Sequence, residues 1–236
     1  MTAVGNRLLS QRARLLFLLA ALVAALAVPL ARALTPTSVS YYFGPGMVRA
    51  EAVLVKGDGQ FSDFRIDRGR IRSITAGSVT IRGRDGLAVS IPLAAQTKVR
   101  LNGRSGLLGE LRPGMEAIVI RDGQRPADTV HAGKQVPSTP SRFFGPQMIR
   151  AEALLMGGGQ IHDYRIDRGR IRAIAPGSIT LQARDGLAVS IQVATTARVQ
   201  LKARTVGVHA LRRGMEVTTI RDGSNPADAI QVHNRR

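Results

Sequence analysis

The side chains here best suited to chemistry are arginines that occur in two matched sets. Arg65, Arg68, Arg70, Arg72 and Arg84 return one hundred positions later as Arg165, Arg168, Arg170, Arg172 and Arg184. A guanidinium is planar, always charged and forked, so several on one surface can hold phosphate or carboxylate through paired hydrogen bonds. The competing reading is a solvated face, partly neutralised by Asp63, Asp67 and Asp85 nearby.

Acids also recur: Glu51/Glu152, Asp63/Asp163, Asp67/Asp167, Asp85/Asp185, Glu116/Glu216, Asp122/Asp222 and Asp128/Asp228. Two carboxylates ~5–10 Å apart across a cleft can hydrolyse a glycosidic bond. Several of these acids, however, belong to Asp-Gly turns or sit beside arginines, where turn chemistry and cross-strand pairing explain them.

The histidines do not recur. His131 matches Gln231, His162 matches Ser62, His209 matches Gly109 and His233 matches Gly133. A zinc site or nucleophilic triad common to both copies is therefore not expected. Cysteine is absent, which removes disulfides and thiolate chemistry. Asp58 to Asp63 has a faint calcium-like spacing, but Asp58 is Gly158 in the second copy. The sequence thus gives no catalytic residue, metal ligand or cofactor motif, and it predicts a protein that is not an enzyme.

Those residues must be positioned by strands. Val79 and Ile81, then Leu87, Val89 and Ile91, then Val99 and Leu101 alternate with polar or small residues, the period of a half-buried strand. Asp85-Gly86 and Asp122-Gly123 are placed as tight hairpin turns. Asp67-Arg68-Gly69 reads as a three-residue hairpin with Gly69 left-handed. Ile71 and Ile74 are three apart, which predicts a bulge between them. Pro92 matches Gln192 and predicts an edge position. One helical turn is expected from Gly106 to Leu111, stopped by Pro113-Gly114.

The whole unit is written twice. Phe43-Gly44-Pro45-Gly46-Met47-Val48-Arg49-Ala50-Glu51-Ala52 returns as Phe144-Gly145-Pro146-Gln147-Met148-Ile149-Arg150-Ala151-Glu152-Ala153. Residues 41–133 form repeat 1, 134–141 a linker rich in proline, serine and threonine, and 142–236 repeat 2. Short, numerous strands need closure to protect their edges. The expected fold is all-β: two tandem small β-barrels, roughly OB-like. The aromatic leaders, Tyr41-Tyr42-Phe43 and Phe143-Phe144, are expected to plug a barrel end or an interdomain seam rather than to form a stacking platform.

Each unit also carries Gly-x-Ile (Gly69 to Ile71), Ser-Val/Ile-Thr-Ile/Leu (Ser78 to Ile81) and Arg-Asp-Gly (Arg84 to Gly86). Leu-x-x-Gly-Met-Glu (Leu111 to Glu116) and Asp-Gly-x-x-Pro-Ala-Asp (Asp122 to Asp128) follow. This series resembles the exported bacterial β-barrel domains called domain of unknown function 5666. The resemblance covers most of each copy but not the aromatic leader. It implies a small OB-like barrel outside the cytoplasm and supplies no catalytic residue.

Location is read from residues 1–33. Arg7, Arg12 and Arg14 precede an apolar run from Leu15 to Leu30, and Ala31-Arg32-Ala33 suits a cleavage site. This is the order of a signal peptide with its N-terminal helix, or of an anchor if uncleaved. Either way the positive-inside rule places the bulk of the chain outside the cytoplasm, secreted or envelope-associated. Cleavage would lower the formal charge from +18 to +14, since Arg7, Arg12, Arg14 and Arg32 leave and no acid does. So basic a chain favours an anionic partner: an envelope polymer, a lipid headgroup or an acidic protein. Export argues against nucleic acid, and any membrane contact would run through the N-terminal segment. The function expected is non-enzymatic binding or scaffolding. The alternatives are an envelope hydrolase using the repeated acids and a structural spacer without a ligand.

Overall fold

The computed structural model describes residues 36–134, 137–202 and 204–233. The described residues belong to one compact unit, Thr35–Arg236. The expected signal segment, residues 1–33, lies outside the described residues, among which no helix is long and apolar enough to cross a membrane.

The fold is all-β. A four-residue helix α1 (Val39–Tyr42) leads into strands β1 (Met47–Val55), β2 (Phe61–Ile74), β3 (Ser78–Arg82) and β4 (Ala88–Leu101). Then come β5 (Arg104–Gly106), β6 (Glu116–Asp122) and β7 (Ala127–Gly133). The second copy repeats the order with β8 (Met148–Gly157), β9 (Gln160–Ala175), β10 (Ser178–Gln182) and β11 (Ala188–Leu201). It ends with β12 (Arg204–Val206), β13 (Glu216–Asp222) and β14 (Ala227–His233).

In each copy five strands close on themselves. The first circuit runs β2-β3-β4-β7-β6 and back to β2, and the second runs β9-β10-β11-β14-β13 and back to β9. β4 and β7 are parallel, as are β11 and β14, and the other pairs in each circuit are antiparallel. This is the connectivity of an OB-like Greek-key barrel, and closure leaves little free strand edge. The period-two pattern fills each interior. Ile71, Val79, Ile81, Ile91, Val99 and Val119 pack in the first, and Ile171, Ile179, Leu181, Ile191, Val199 and Val217 in the second.

β1 and β8 lie outside both circuits and join them. They pair antiparallel with Ala50 opposite Ala153, Glu51 opposite Glu152 and Ala52 opposite Ala151. Glu51 and Glu152 are the same position of the repeat, so a local two-fold axis passes between them. The hydrogen bonds obey it: Val55 N–H donates to Gln147 O and Met156 N–H to Gly46 O, both at 2.9 Å.

The aromatic leaders lie on the axis as a seam. The Phe43 and Phe144 rings are 6.0 Å apart. Tyr42, from the first leader, meets Tyr164 of the second copy at 4.8 Å, and Phe143, from the second leader, meets Phe64 of the first at 5.4 Å. Each leader therefore packs on the other copy. Tyr42, Phe43 and Phe143 are fully buried over Ala50, Ala52, Ala151 and Ala153, whose small side chains leave room for the rings. Burying each such ring contributes ~1.5–3 kcal/mol, so this central core holds the copies together.

The connecting segment is packed too. Thr139 is buried, its hydroxyl donates to Phe43 O at 2.8 Å, and residues Ser141–Phe143 make a 3-10 turn.

One local expectation fails. Asp67-Arg68-Gly69 is no hairpin; it lies inside the continuous strand β2, and Gly69 has no positive φ. β6 pairs with β2 continuously there, while on the other edge pairing with β1 ends at Asp67 and pairing with β3 begins at Arg70. Glycine is needed for approach instead, since a Cβ would stand 2.6 Å from the Arg82 carbonyl carbon. The other turns form as expected, with Gly86 at φ 81 and Gly123 at φ 59. The register of β2 on β3 shifts between Ile71 and Ser73, and Leu108–Glu110 makes a 3-10 turn. At Pro92, β4 pairs with Ser78 on one side, and pairing with β7 begins only at Leu93.

Candidate functional site

The repeated arginines divide by strand parity, since successive side chains point to opposite faces. Arg65 and Arg165 fall on the central charged face. There the strand register aligns Arg121, Arg65, Glu51, Glu152, Arg165 and Arg221 in one row across β6, β2, β1, β8, β9 and β13. Two like charges directly opposite, as at Glu51 and Glu152, are destabilising. Arg65 offsets one with Nε 3.1 Å from Glu51, and Arg165 the other with Nε 3.6 Å from Glu152. Arg121 and Arg221 turn to Asp67 and Asp167, at 3.5 and 3.4 Å. Arg49 pairs with Asp85 at 2.6 Å, and Arg150 pairs with Asp185.

Burial raises the Asp67 and Asp167 carboxyls above their ordinary range, opposed by Arg121 and Arg221. Hollows of about 300 and 290 Å³ flank the axis, each lined by acids and arginines together. This face satisfies its own charge, so Arg65 and Arg165 are engaged before any ligand arrives.

Arg68, Arg70, Arg72 and Arg84, with their counterparts, lie away from that row. In the second copy Arg168, Arg170, Arg172 and Arg184 line one cavity of about 530 Å³ with Glu216 and Gln182. Its remaining wall is Met148, Ile149, Gly169, Ile171 and Ala183. Arg168 Nε donates to Glu216 at 2.9 Å and its Nη1 to Gly145 O at 3.1 Å. Arg184 donates to Glu216 at 3.4 Å and to Pro146 O at 3.2 Å. Burial pushes the Glu216 carboxyl up, but the hydrogen bond and charge of Arg168, with Arg184 and His233, outweigh it and hold the group below its ordinary value. Arg170 and Arg172 are exposed.

The first copy differs at the same place. Arg68 is 3% exposed, and its Nη2 donates to Thr139 Oγ1 at 3.2 Å. Its Nε and Nη1 have no partner among the described residues. Burial, reinforced by Arg84, lowers Arg68 to about 10. Glu116 pairs with Arg70 at 3.4 Å instead, and Arg72 and Arg84 are exposed. The connection between copies supplies Thr139, so the first arginine is covered. The residue matching Thr139 in the leader is Ser38, which bonds Ser40 at 2.8 Å rather than Arg168.

Among the described residues no three His, Asp or Glu side chains gather as a metal site. His162 and Asp222 are 3.0 Å apart, with the imidazole stacked on Tyr164. Burial, then Arg168, lowers His233 to about 4, and the ring bonds the Thr218 hydroxyl at 2.8 Å. Sequence reasoning had not assigned Arg49, Arg121, Arg150 and Arg221 to the charged face. The spacing of Arg49 and Glu51 by two, repeated in Arg150 and Glu152, was the available signal for one shared face.

No family model and no curated protein matches the chain. Among solved structures it is similar to a deletion mutant of the single-stranded DNA binding protein from Thermus aquaticus. Sequence identity is 14% over 78% of this chain and 88% of that one, with a TM-score of 0.17. A likeness at that score carries no argument, and the OB-like assignment stands on the strand order.

Proposed function

We propose that this is a non-enzymatic binding module that works outside the cytoplasm and holds an acidic group of an envelope component or partner protein. The observation that carries the reading is the convergence of Arg168, Arg170, Arg172 and Arg184 on one cavity with Glu216 as its one acid. Charge-assisted contacts to such guanidinium groups contribute ~1.5–3 kcal/mol each. Arg168 is held in place by Glu216 and Gly145 O, so little side-chain entropy remains to be lost on binding. The signal-like residues 1–33 and the resemblance to the exported barrel family support the location; the +18 charge supports the ligand's sign.

The test is binding of labelled anions to the purified protein at low and physiological salt, with polyphosphate and a nucleic-acid control. Selective affinity that survives physiological salt, and drops about tenfold in Arg170→Gln or Arg172→Gln, is expected. Weak, indiscriminate binding that vanishes with salt would refute the reading and leave a spacer role.

A second reading, an envelope hydrolase, draws on the opposed Glu51 and Glu152 carboxylates, both more than half exposed. Each is ion-paired to an arginine, which favours the binding reading. Loss of hydrolysis of an envelope polymer in Glu51→Gln, with Arg170→Gln unaffected, would favour the enzyme.

A further inference from the structure

We infer that the second-copy cavity takes an amphiphilic anion, one acidic head on an apolar body, rather than a stretch of polyanion. The inference rests on the binding reading above and names the class of ligand. The acid-binding groups gather around one carboxylate: Arg168 and Arg184 meet at Glu216, and Arg170 and Arg172 are exposed among the lining residues. The rest of the lining is apolar, with Met148, Ile149, Ile171 and Ala183 among its residues. A polyanion gains from a track of exposed cations and nothing from such a wall, because its charges would have to leave water beside it. A volume of about 530 Å³ lies within the range of small-molecule sites.

The duplication supplies an internal contrast. Position 82 is arginine in the first copy and Gln182 in the second. Arg82 donates to Gly86 O at 3.1 Å, and the Gln182 amide donates to Gly186 O at 2.7 Å. The side chain is anchored to the same turn in both copies, but in the second a neutral amide replaces a cation beside the cavity. That removal of charge suits an uncharged body lodged there.

The probes are inorganic phosphate, butyl phosphate and octyl phosphate, the last below its micelle concentration, titrated into the whole protein at physiological salt. Affinity should rise severalfold per buried methylene and level off once the cavity is filled. Gln182→Arg installs the first copy's own residue and should keep the fold. It should leave inorganic phosphate as tight or tighter and weaken octyl phosphate by about tenfold. Equal affinity for all three phosphates, or an octyl-to-inorganic ratio unchanged in Gln182→Arg, would overturn the inference while the anion reading stands. Absence of binding by every probe and by polyphosphate would overturn both. Competition of octyl phosphate by vesicles of mixed phosphatidylcholine and phosphatidylglycerol would name a lipid headgroup as the source. Failure to compete, with octyl phosphate still bound, would name a free amphiphile.

Discussion

Gly69→Ala separates the observed strand from the hairpin that local sequence suggests. An alanine Cβ at 69 would stand 2.6 Å from the Arg82 carbonyl carbon, closer still to its oxygen, and 2.9 Å from Gly83 N, where ordinary contact begins at 3.4 Å. All three atoms are backbone, so no side chain can swing aside. Relief requires β3 to part from β2 at the Arg70–Arg82 pair. Overpacking of this kind costs about 1–3 kcal/mol, and one lost ladder hydrogen bond adds about 1 kcal/mol. A loss of about 2–4 kcal/mol lowers Tm by roughly 5–15 °C in a chain of this size. Gly169→Ala meets the Gln182 carbonyl oxygen at 2.7 Å and its carbon at 3.0 Å, so its loss should be smaller. Gly77→Ala, with nothing within 4 Å and an ordinary φ, should be neutral or slightly stabilised. Thermal melts should rank Gly69→Ala lowest, then Gly169→Ala, then Gly77→Ala. Gly69→Asn sharpens the test, since asparagine tolerates a left-handed turn but is larger than alanine. If Gly69→Asn restored stability, or Gly69→Ala melted with Gly77→Ala, the continuous strand and its close approach would be wrong.

Two further outcomes are expected. Phe143→Ala should cost about 3–5 kcal/mol in urea unfolding, because the ring is fully buried, packs on Phe64 at 5.4 Å and carries Arg142 above it at 4.8 Å. Its double-mutant cycle with Phe64→Ala should show ~0.5–1.5 kcal/mol of coupling; strict additivity would refute the exchanged leaders. His233 is lowered from 6.5 to about 4, so folding favours its neutral form, and the stability it contributes is present above pH 6.5 and lost as pH falls toward 4. With screening of this partly exposed ring the loss is about 1–2 kcal/mol. Urea midpoints at pH 7.5, 6 and 4.5 should converge less steeply in His233→Gln, and identical slopes in variant and parent would refute the assignment.

Much of the barrel was legible because its signals are local. The alternation at Val79/Ile81 and Val89/Ile91, the Asp-Gly turns and the break after Ile71 each depend on a few neighbouring residues. Gly69 forms no turn because turn propensity is weak beside the continuous β6 ladder that pairs β2 through this stretch. The arginine set was legible as a set but not as a site. Arg65 and Arg68 differ in parity and so face opposite ways, which separates residues close in sequence. The exchanged leaders were beyond sequence reasoning for a different reason. Phe64 and Tyr164 are equivalent partners, so Phe143 packing on one or on the other leaves the same pattern in the sequence.

The two-fold axis also explains why the two copies differ around their arginines. Chain continuity cannot obey that axis: the second leader must be reached through the connection from β7, whereas the first is not. The connection lays Thr139 against Arg68 and the Phe43 carbonyl, and in doing so covers the first-copy guanidinium. The equivalent Ser38 makes its hydrogen bond to Ser40, and Arg168 swings to Glu216 and the wall of an open cavity. Near-identical arginine sets therefore differ at one member, Arg68 being buried under the chain while Arg168 lines a ligand-sized space. Position 82/182 follows the same division, charged where the arginine is covered and neutral where the cavity is open. A pure spacer would gain nothing from that correlated change, whereas a binding module with one working copy would.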